Sequence, residues 1–156
     1  MKRTLINFFA LLVFGSLVVA ITGTSRPRAH AIDASGTFSI HGKAPQAFAN
    51  IEVIEIGGDD EYGWKANPPF FGFIRLNNQA KTDYRLLKPT IEDKNISFKT
   101  RAVAGVSYEF EGTFAQLDFA EKDMRNQTVL SGTLKKMVGG KVAAEAKLDF
   151  DYTPGG

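Results

Sequence analysis

Apolar and polar residues alternate along the last third of the chain with a period of two. From Ile96 the residues Ile96, Phe98, Thr100 and Ala102 share one parity, while Ser97, Lys99 and Arg101 share the other. The alternation resumes after Val103-Ala104-Gly105. Val106, Tyr108, Phe110, Gly112 and Phe114 fall on one face, and Ser107, Glu109, Glu111 and Thr113 on the opposite one. A second pair of segments repeats the design. Leu130, Gly132 and Leu134 precede Val138-Gly139-Gly140, and Val142, Ala144, Ala146, Leu148, Phe150 and Tyr152 follow it. Such alternation marks a strand with one buried and one wet face. The stretch from Ile96 to Tyr152 therefore reads as two long β-hairpins.

Matching faces fixes a register. Residues directly opposite in an antiparallel pair lie on the same face. A three-residue loop at 103–105 sets Ala102 against Val106, Phe98 against Phe110 and Lys99 against Glu109. A two-residue loop would set Lys99 against Phe110, so the three-residue loop is the expectation. Lys136 has inner parity but lies near the turn, where it can reach water.

Upstream, Ser35–His41, Phe48–Ile56, Phe70–Leu76 and Thr82–Leu87 read as four further strands. The second has a muddled phase: Ile51 and Val53 share one parity, Ile54 and Ile56 the other. A bulge, or a strand end covered on both faces, accounts for this. Pro89 and Glu92-Asp93-Lys94 lead into the hairpins. Leu117–Gln127 separates them, and its Asp118-Phe-Ala-Glu121 has the form of a capping box. Eight strands with mostly short connections predict an all-β domain, a small antiparallel up-and-down barrel. A two-sheet β-sandwich is the alternative.

Ser35-Gly-Thr-Phe38, Glu111-Gly-Thr-Phe114 and Ser131-Gly-Thr-Leu134 share a Gly-Thr-apolar core. In the hairpins these glycines fall at inward positions, where a strand can bend or another side chain approach closely. This usage resembles the Gly-x-aromatic pattern of lipocalin and avidin barrels, so the fold expectation is calycin-like. The Trp of the lipocalin pattern is missing, and the resemblance carries no functional residues.

The amino terminus changes the picture of charge and compartment. Lys2 and Arg3 precede an apolar run from Phe8 to Ile21, and Ala29-His30-Ala31 follows. That is the layout of a signal peptide over residues 1–31, leaving one domain at 32–156 that is secreted or periplasmic. Residues 22–31, with Arg26, Pro27 and Arg28, are long for a cleavage region, so an uncleaved membrane anchor is the other reading. An apolar run of about 14 residues is short for a span, which favours cleavage. Membrane contact is expected only through this segment, and only where it stays uncleaved. Cleavage removes Lys2, Arg3, Arg26 and Arg28 and no acid. The balance of 19 basic against 17 acidic residues becomes 15 against 17, so net +2 becomes −2. An acidic domain of interspersed sign argues against a nucleic-acid partner.

Candidate chemistry is sparse. There are no cysteines, and after residue 31 His41 is the one histidine. Thiolate chemistry is excluded, and no Gly-x-Ser-x-Gly elbow is present. No catalytic residues or cofactor are expected, and an enzyme ranks behind a binding module. Asp59, Asp60 and Glu61 form the tightest acid cluster and are weak candidates for a metal, since they lack the alternate spacing of a calcium loop. Asp149 and Asp151 share a face with Lys147 and Lys141, which favours a wet mixed surface over a carboxylate dyad. Asn95-Ile-Ser97 and Asn126-Gln-Thr128 are glycosylation sequons, relevant only in a eukaryotic host.

Two functional expectations follow. In the first, Phe98, Phe110 and Phe150, with Phe114, Leu134 and Leu148, line a barrel that holds a small apolar ligand. In the second, the chain is a structural or assembly protein of the cell envelope, and the breaker-rich loop at 57–69 recognises a protein or glycan partner. Tyr62, Trp64, Phe70 and Phe71 in and beside that loop then supply stacking surfaces at the barrel mouth, unless they plug it as core.

Overall fold

In the computed structural model, the residues described are 34–58, 70–77, 82–116, 124 and 127–153. Eight strands follow one another: β1 Gly36–Ile40, β2 Ile51–Gly58, β3 Phe70–Leu76, β4 Asp83–Glu92, β5 Asn95–Thr100, β6 Val106–Phe114, β7 Thr128–Val138 and β8 Lys141–Thr153. Each pairs antiparallel with the next, and β8 pairs with β1, closing an up-and-down barrel. Closure removes the sandwich alternative. A single 3₁₀ turn, Gln46–Phe48, lies between β1 and β2 and buries Phe48.

The hairpin register follows the face-matching argument, but the turn does not. Phe98 faces Phe110 and Lys99 faces Glu109, as expected. The loop, however, is two residues, Ala104-Gly105, between a bridged Val103 and Val106. Both loop residues have positive φ, 50° and 76°, which suits the right-handed twist of a tight hairpin. The one-residue discrepancy is absorbed at the end of β5. There the Tyr108 amide donates to Thr100 Oγ1 at 2.9 Å instead of to a ladder carbonyl, and the Arg101 amide turns to the Arg85 carbonyl. Ala102 is consequently exposed and does not face Val106.

Four further slips shape the wall. In β2 the register shifts between Ile51 and Val53, which lets Ile51, Ile54 and Ile56 all be buried. This is the bulge that the muddled phase called for. β4 does not end at Leu87 but runs on to Glu92. Lys88 (φ 45°) and Pro89 together oppose Phe98, and a bulge is where a strand tolerates a residue without an amide proton. In β7 Val129 is the extra residue, and it is fully buried. In β8 Ala143 is extra. Beyond it Val142 pairs with Met137, off the inner row, and is 54% exposed. The expectation that Val142 joins the inner face is therefore corrected. The turn of this hairpin is Gly139-Gly140. The capping-box segment 117–123 lies outside the described residues.

Inside, aromatic rings meet one another. Phe110 stacks on Phe98 with centroids 5.2 Å apart and meets Phe150 edge-on at 5.5 Å. Tyr84 and Tyr108 are perpendicular at 5.0 Å, and Phe38 lies 5.9 Å from both Phe114 and Tyr152. The close packing depends on two glycines. Gly112 and Gly132 face each other across β6 and β7. A Cβ on either would come within 2.5 Å of Phe110 Cζ. The Phe110 ring thus lies down over the glycine pair, in the space that two side chains would otherwise take.

Candidate functional site

The residues expected to bind a ligand divide among several places. Phe98, Phe110 and Phe150 do come together inside the barrel, each at most 3% exposed, and they fill one another's space. Phe70 is half-buried and packs against the edge of the core. Phe71 belongs to the other face: it pairs with Gly57, and its ring tip covers that residue, 2.4 Å from where a Cβ would stand. Tyr62, Trp64, Asp59, Asp60 and Glu61 lie outside the described residues. Among the described residues, no three His, Cys, Asp or Glu side chains gather in a metal-binding group.

A recess lies on the outer wall. It is a groove of about 860 Å³ running across β4 to β8. Its floor is the backbone of one cross-strand row, Ile96, Gly112, Gly132 and Leu148. One side is the outward row Thr90, Ser97, Glu111, Thr133 and Lys147. The other is Glu92, Asn95, Thr113, Ser131 and Asp149. Every wall residue is polar because each has the wet parity of its strand. The glycine pair leaves the middle of the floor without side chains on the inner surface, where Phe110 takes their place.

Hydroxyl bonds between neighbouring strands order the walls. Thr90 Oγ1 and Ser97 Oγ are 2.8 Å apart, Thr113 Oγ1 donates to Asn95 Oδ1 at 3.1 Å, and Ser131 Oγ donates to Asp149 Oδ1 at 2.6 Å. Carboxylates outnumber cations: Glu92, Glu111 and Asp149 face a single ammonium, Lys147. A second recess of about 540 Å³ adjoins the first across the shared Thr90, Ser97, Glu111 and Thr133. It adds Leu87, which is 48% exposed, and the ion pair of Lys99 Nζ with Glu109 Oε1 at 2.8 Å. That carboxylate holds the Lys99 ammonium above its ordinary pKa, first through the hydrogen bond and then through charge.

Comparison of the chain with protein-family models, with curated proteins and with solved structures finds no match in any of the three. The site therefore rests on its own geometry.

Close to the groove, His41 supplies a titratable group. It follows β1 and is exposed, with Nδ1 2.9 Å from Asp151 Oδ2. Thr128 Oγ1 donates to the same carboxylate at 2.9 Å. The hydrogen bond and the charge of Asp151 raise the His41 pKa above 6.5. Asp149 and Asp151 are thus engaged by different partners, Ser131 for one and Thr128 with His41 for the other. They do not converge on a shared point as a hydrolytic pair would. The sequence offered no direct signal for the groove, because its residues are ordinary polar strand positions until four registers align them.

Proposed function

We propose that this protein is exported and acts as a non-enzymatic binding module, and that its partner is a polyhydroxylated envelope glycan held on the outer wall of the barrel. One observation carries this reading. The inner rings are packed against one another, whereas the outer groove presents two ordered rows of hydroxyl, amide and carboxylate groups over an open backbone floor. Carboxylates and hydroxyls accept and donate to sugar hydroxyls in the alternation that a polyol requires. Leu87 offers an apolar patch to the carbon-bound face of a sugar ring. An apolar ligand between Phe98, Phe110 and Phe150 would have to separate rings already in contact, which removes stacking that it must then replace.

The test is titration of the ¹⁵N-labelled protein with soluble envelope oligosaccharides, followed by amide chemical shifts. Shifts should cluster at Ser97, Glu111, Thr113, Ser131 and Thr133, and Glu111→Lys should abolish them without changing the melting temperature. Three outcomes refute the outer-wall reading. One is silence from every oligosaccharide at millimolar concentration. Another is shifts confined to Phe98, Phe110 and Phe150 on adding a fluorescent fatty acid that gains signal. The last is binding lost through Trp64→Ala and not through Glu111→Lys.

A further inference from the structure

Two hairpins turn at the same end of the barrel and carry apolar residues into the open. The β5–β6 turn is Ala104-Gly105 and the β7–β8 turn is Gly139-Gly140, and all four residues have positive φ. The Gly139 amide donates to the Gly105 carbonyl at 2.9 Å, and Val106 pairs with Val138, so the two tips form one edge. A Cβ on Gly105, Gly139 or Gly140 would meet nothing within 4 Å. Around these turns Ala102, Ala104, Val138, Val142 and Ala143 are exposed, Val138 to 48%. Both faces of the β7–β8 tip are apolar. Val138 stands in the inner row with Val106, and Val142 stands in the outer row opposite Met137. The barrel itself can cover only one of these faces. The charges at this end have one sign. Segments 100–108 and 136–144 contain Arg101, Lys136 and Lys141 and no Asp or Glu. The next acids along these strands, Glu109 and Glu145, both stand opposite Lys135, and Glu109 also bonds Lys99. Among the described residues, Arg101, Lys136 and Lys141 form no ion pair.

We propose that these paired tips dock on the anionic face of a lipid bilayer, with the valines entering the interface and the three cations lying among lipid phosphates. The pairing of exposed apolar residues with cations selects this partner. Binding to such an interface grows with the apolar area it takes in and with attraction to anionic lipid. A fluid interface wraps both faces of a narrow tip, whereas a rigid protein surface covers one. Lysine stems lie along apolar surface while the ammonium reaches the headgroups. A second copy meeting tip to tip would bring three cations against three. A soluble polyanion would satisfy the cations and leave Val138 and Val142 in water. Charge also fixes the orientation. Residues 32–156 carry 15 basic and 17 acidic side chains, a net −2, so an anionic surface repels the body of the domain and attracts this end. This contact is separate from the amino-terminal segment. It does not rest on the glycan reading, whose groove lies along the side of the barrel.

The test places a dye at each end of the barrel. The chain has no cysteine, so Ala104→Cys takes a single polarity-sensitive dye at the tip, and Thr153→Cys takes one at the far end of β8. The chain is expressed from Met1, purified in the form the cell produces, and mixed with vesicles of phosphatidylcholine alone or of phosphatidylcholine with phosphatidylglycerol. The tip dye should brighten and shift to the blue with the mixed vesicles, and far less with phosphatidylcholine alone. The Thr153→Cys dye should stay unchanged. Each dye reports its own surroundings, so an amino-terminal anchor holding the chain on a vesicle would not by itself give this signal. Losing one surface cation weakens such binding about fivefold, so Lys136→Gln with Lys141→Gln should raise the lipid concentration at half response about 25-fold. Val142→Asp should remove the response. Unchanged thermal melting shows that each variant is folded. The proposal is overturned if the tip dye is silent with the mixed vesicles, if it answers both vesicle types alike, or if the Thr153→Cys dye responds equally. It is overturned as well if either folded variant responds as wild type does, or if heparin brightens the tip dye as strongly as the mixed vesicles do, since a polyanion would then suffice.

Discussion

Gly132→Ala is the substitution that most directly questions how the interior is filled. Neither Gly132 nor Gly112 is among the residues with positive φ, so the backbone would accept alanine and the objection is one of space. A Cβ on Gly132 would lie 2.5 Å from Phe110 Cζ, 2.5 Å from the Glu111 carbonyl oxygen and 2.7 Å from Gly112 Cα. Two of those three neighbours are backbone and cannot rotate away. Overpacking of this kind costs about 1–3 kcal/mol. Moving the Phe110 ring weakens its contacts with Phe98 and Phe150, each worth about 0.5–1.5 kcal/mol. Against this, alanine restricts the unfolded chain and returns about 0.4–1 kcal/mol. The balance is a destabilisation of about 3 kcal/mol, read as a lower urea midpoint at unchanged slope. Phe110→Leu removes the ring tip, so the double variant should be more stable than additivity predicts, by about 1 kcal/mol. If Gly132→Ala unfolds within about 0.5 kcal/mol of wild type, the ring does not rest on the glycines and the account of the filled interior fails.

Three more outcomes follow from the same packing. Because Asp151 raises the His41 pKa, the pair adds stability in full below the ordinary value of 6.5 and loses it as pH rises through the raised value. The urea midpoint of wild type should therefore exceed that of His41→Gln at acidic pH and converge with it at alkaline pH, and an NMR titration of His41 at or below 6.5 would contradict this. Thr100→Val strands the buried Tyr108 amide that Thr100 Oγ1 now accepts and should cost about 1–3 kcal/mol, while Thr100→Ser keeps the acceptor and costs less. Burial pushes the Tyr108 phenol up to about 12. One tyrosine should therefore ionise later than the others in an alkaline absorbance titration, and Tyr108→Phe should remove that late step, with stability falling once pH exceeds the ordinary phenol range.

The barrel was legible in the sequence because its later strands, β5 above all, alternate exposed and buried residues. Parity alone set Phe98 against Phe110 and Lys99 against Glu109. The bulges were not legible in the same way. An extra residue leaves the pattern on either side intact, so parity alone makes Ala104-Gly105 part of a three-residue loop. The slip instead falls back at Thr100, whose hydroxyl replaces a ladder acceptor. Only β2, where the isoleucines change parity, announced its bulge. Pro89 reads as a strand stop unless Lys88 beside it takes positive φ. Val142 carries the right parity for the core and leaves it only because Ala143 is squeezed out of the ladder. The inner phenylalanines were identified as a group, but whether they enclose space depends on where the Phe110 ring lies. That is decided by two glycines on other positions of the same sheet. The groove was illegible for a related reason, since no single strand carries more than three of its residues.

The seam between β1 and β8 is the remaining consequence of unequal strands. β6, β7 and β8 pair over most of their lengths, from Val106 with Val138 through Phe114 with Leu130 in one ladder. β1 closes the barrel with only Thr37 to Ile40 on Thr153 to Phe150. Its hold on the core comes from Phe38, whose ring meets both Phe114 and Tyr152. Local opening requires breaking the backbone bonds and contacts of the opening unit, so β1 should open at lower free energy than β7. Native-state hydrogen exchange should show faster exchange at the amides of β1 than at Phe110 or Leu134. Phe38→Ala should speed exchange across β1 and along β8 from Phe150 to Tyr152 before it changes exchange in β6. Equal protection of β1 and β7 would mean that barrel closure is part of the same cooperative unit as the long hairpins. Phe150 of the ring cluster pairs with Ile40 of β1, so where the seam opens separately, quenching of the inner aromatics should follow β1 exchange and not global unfolding.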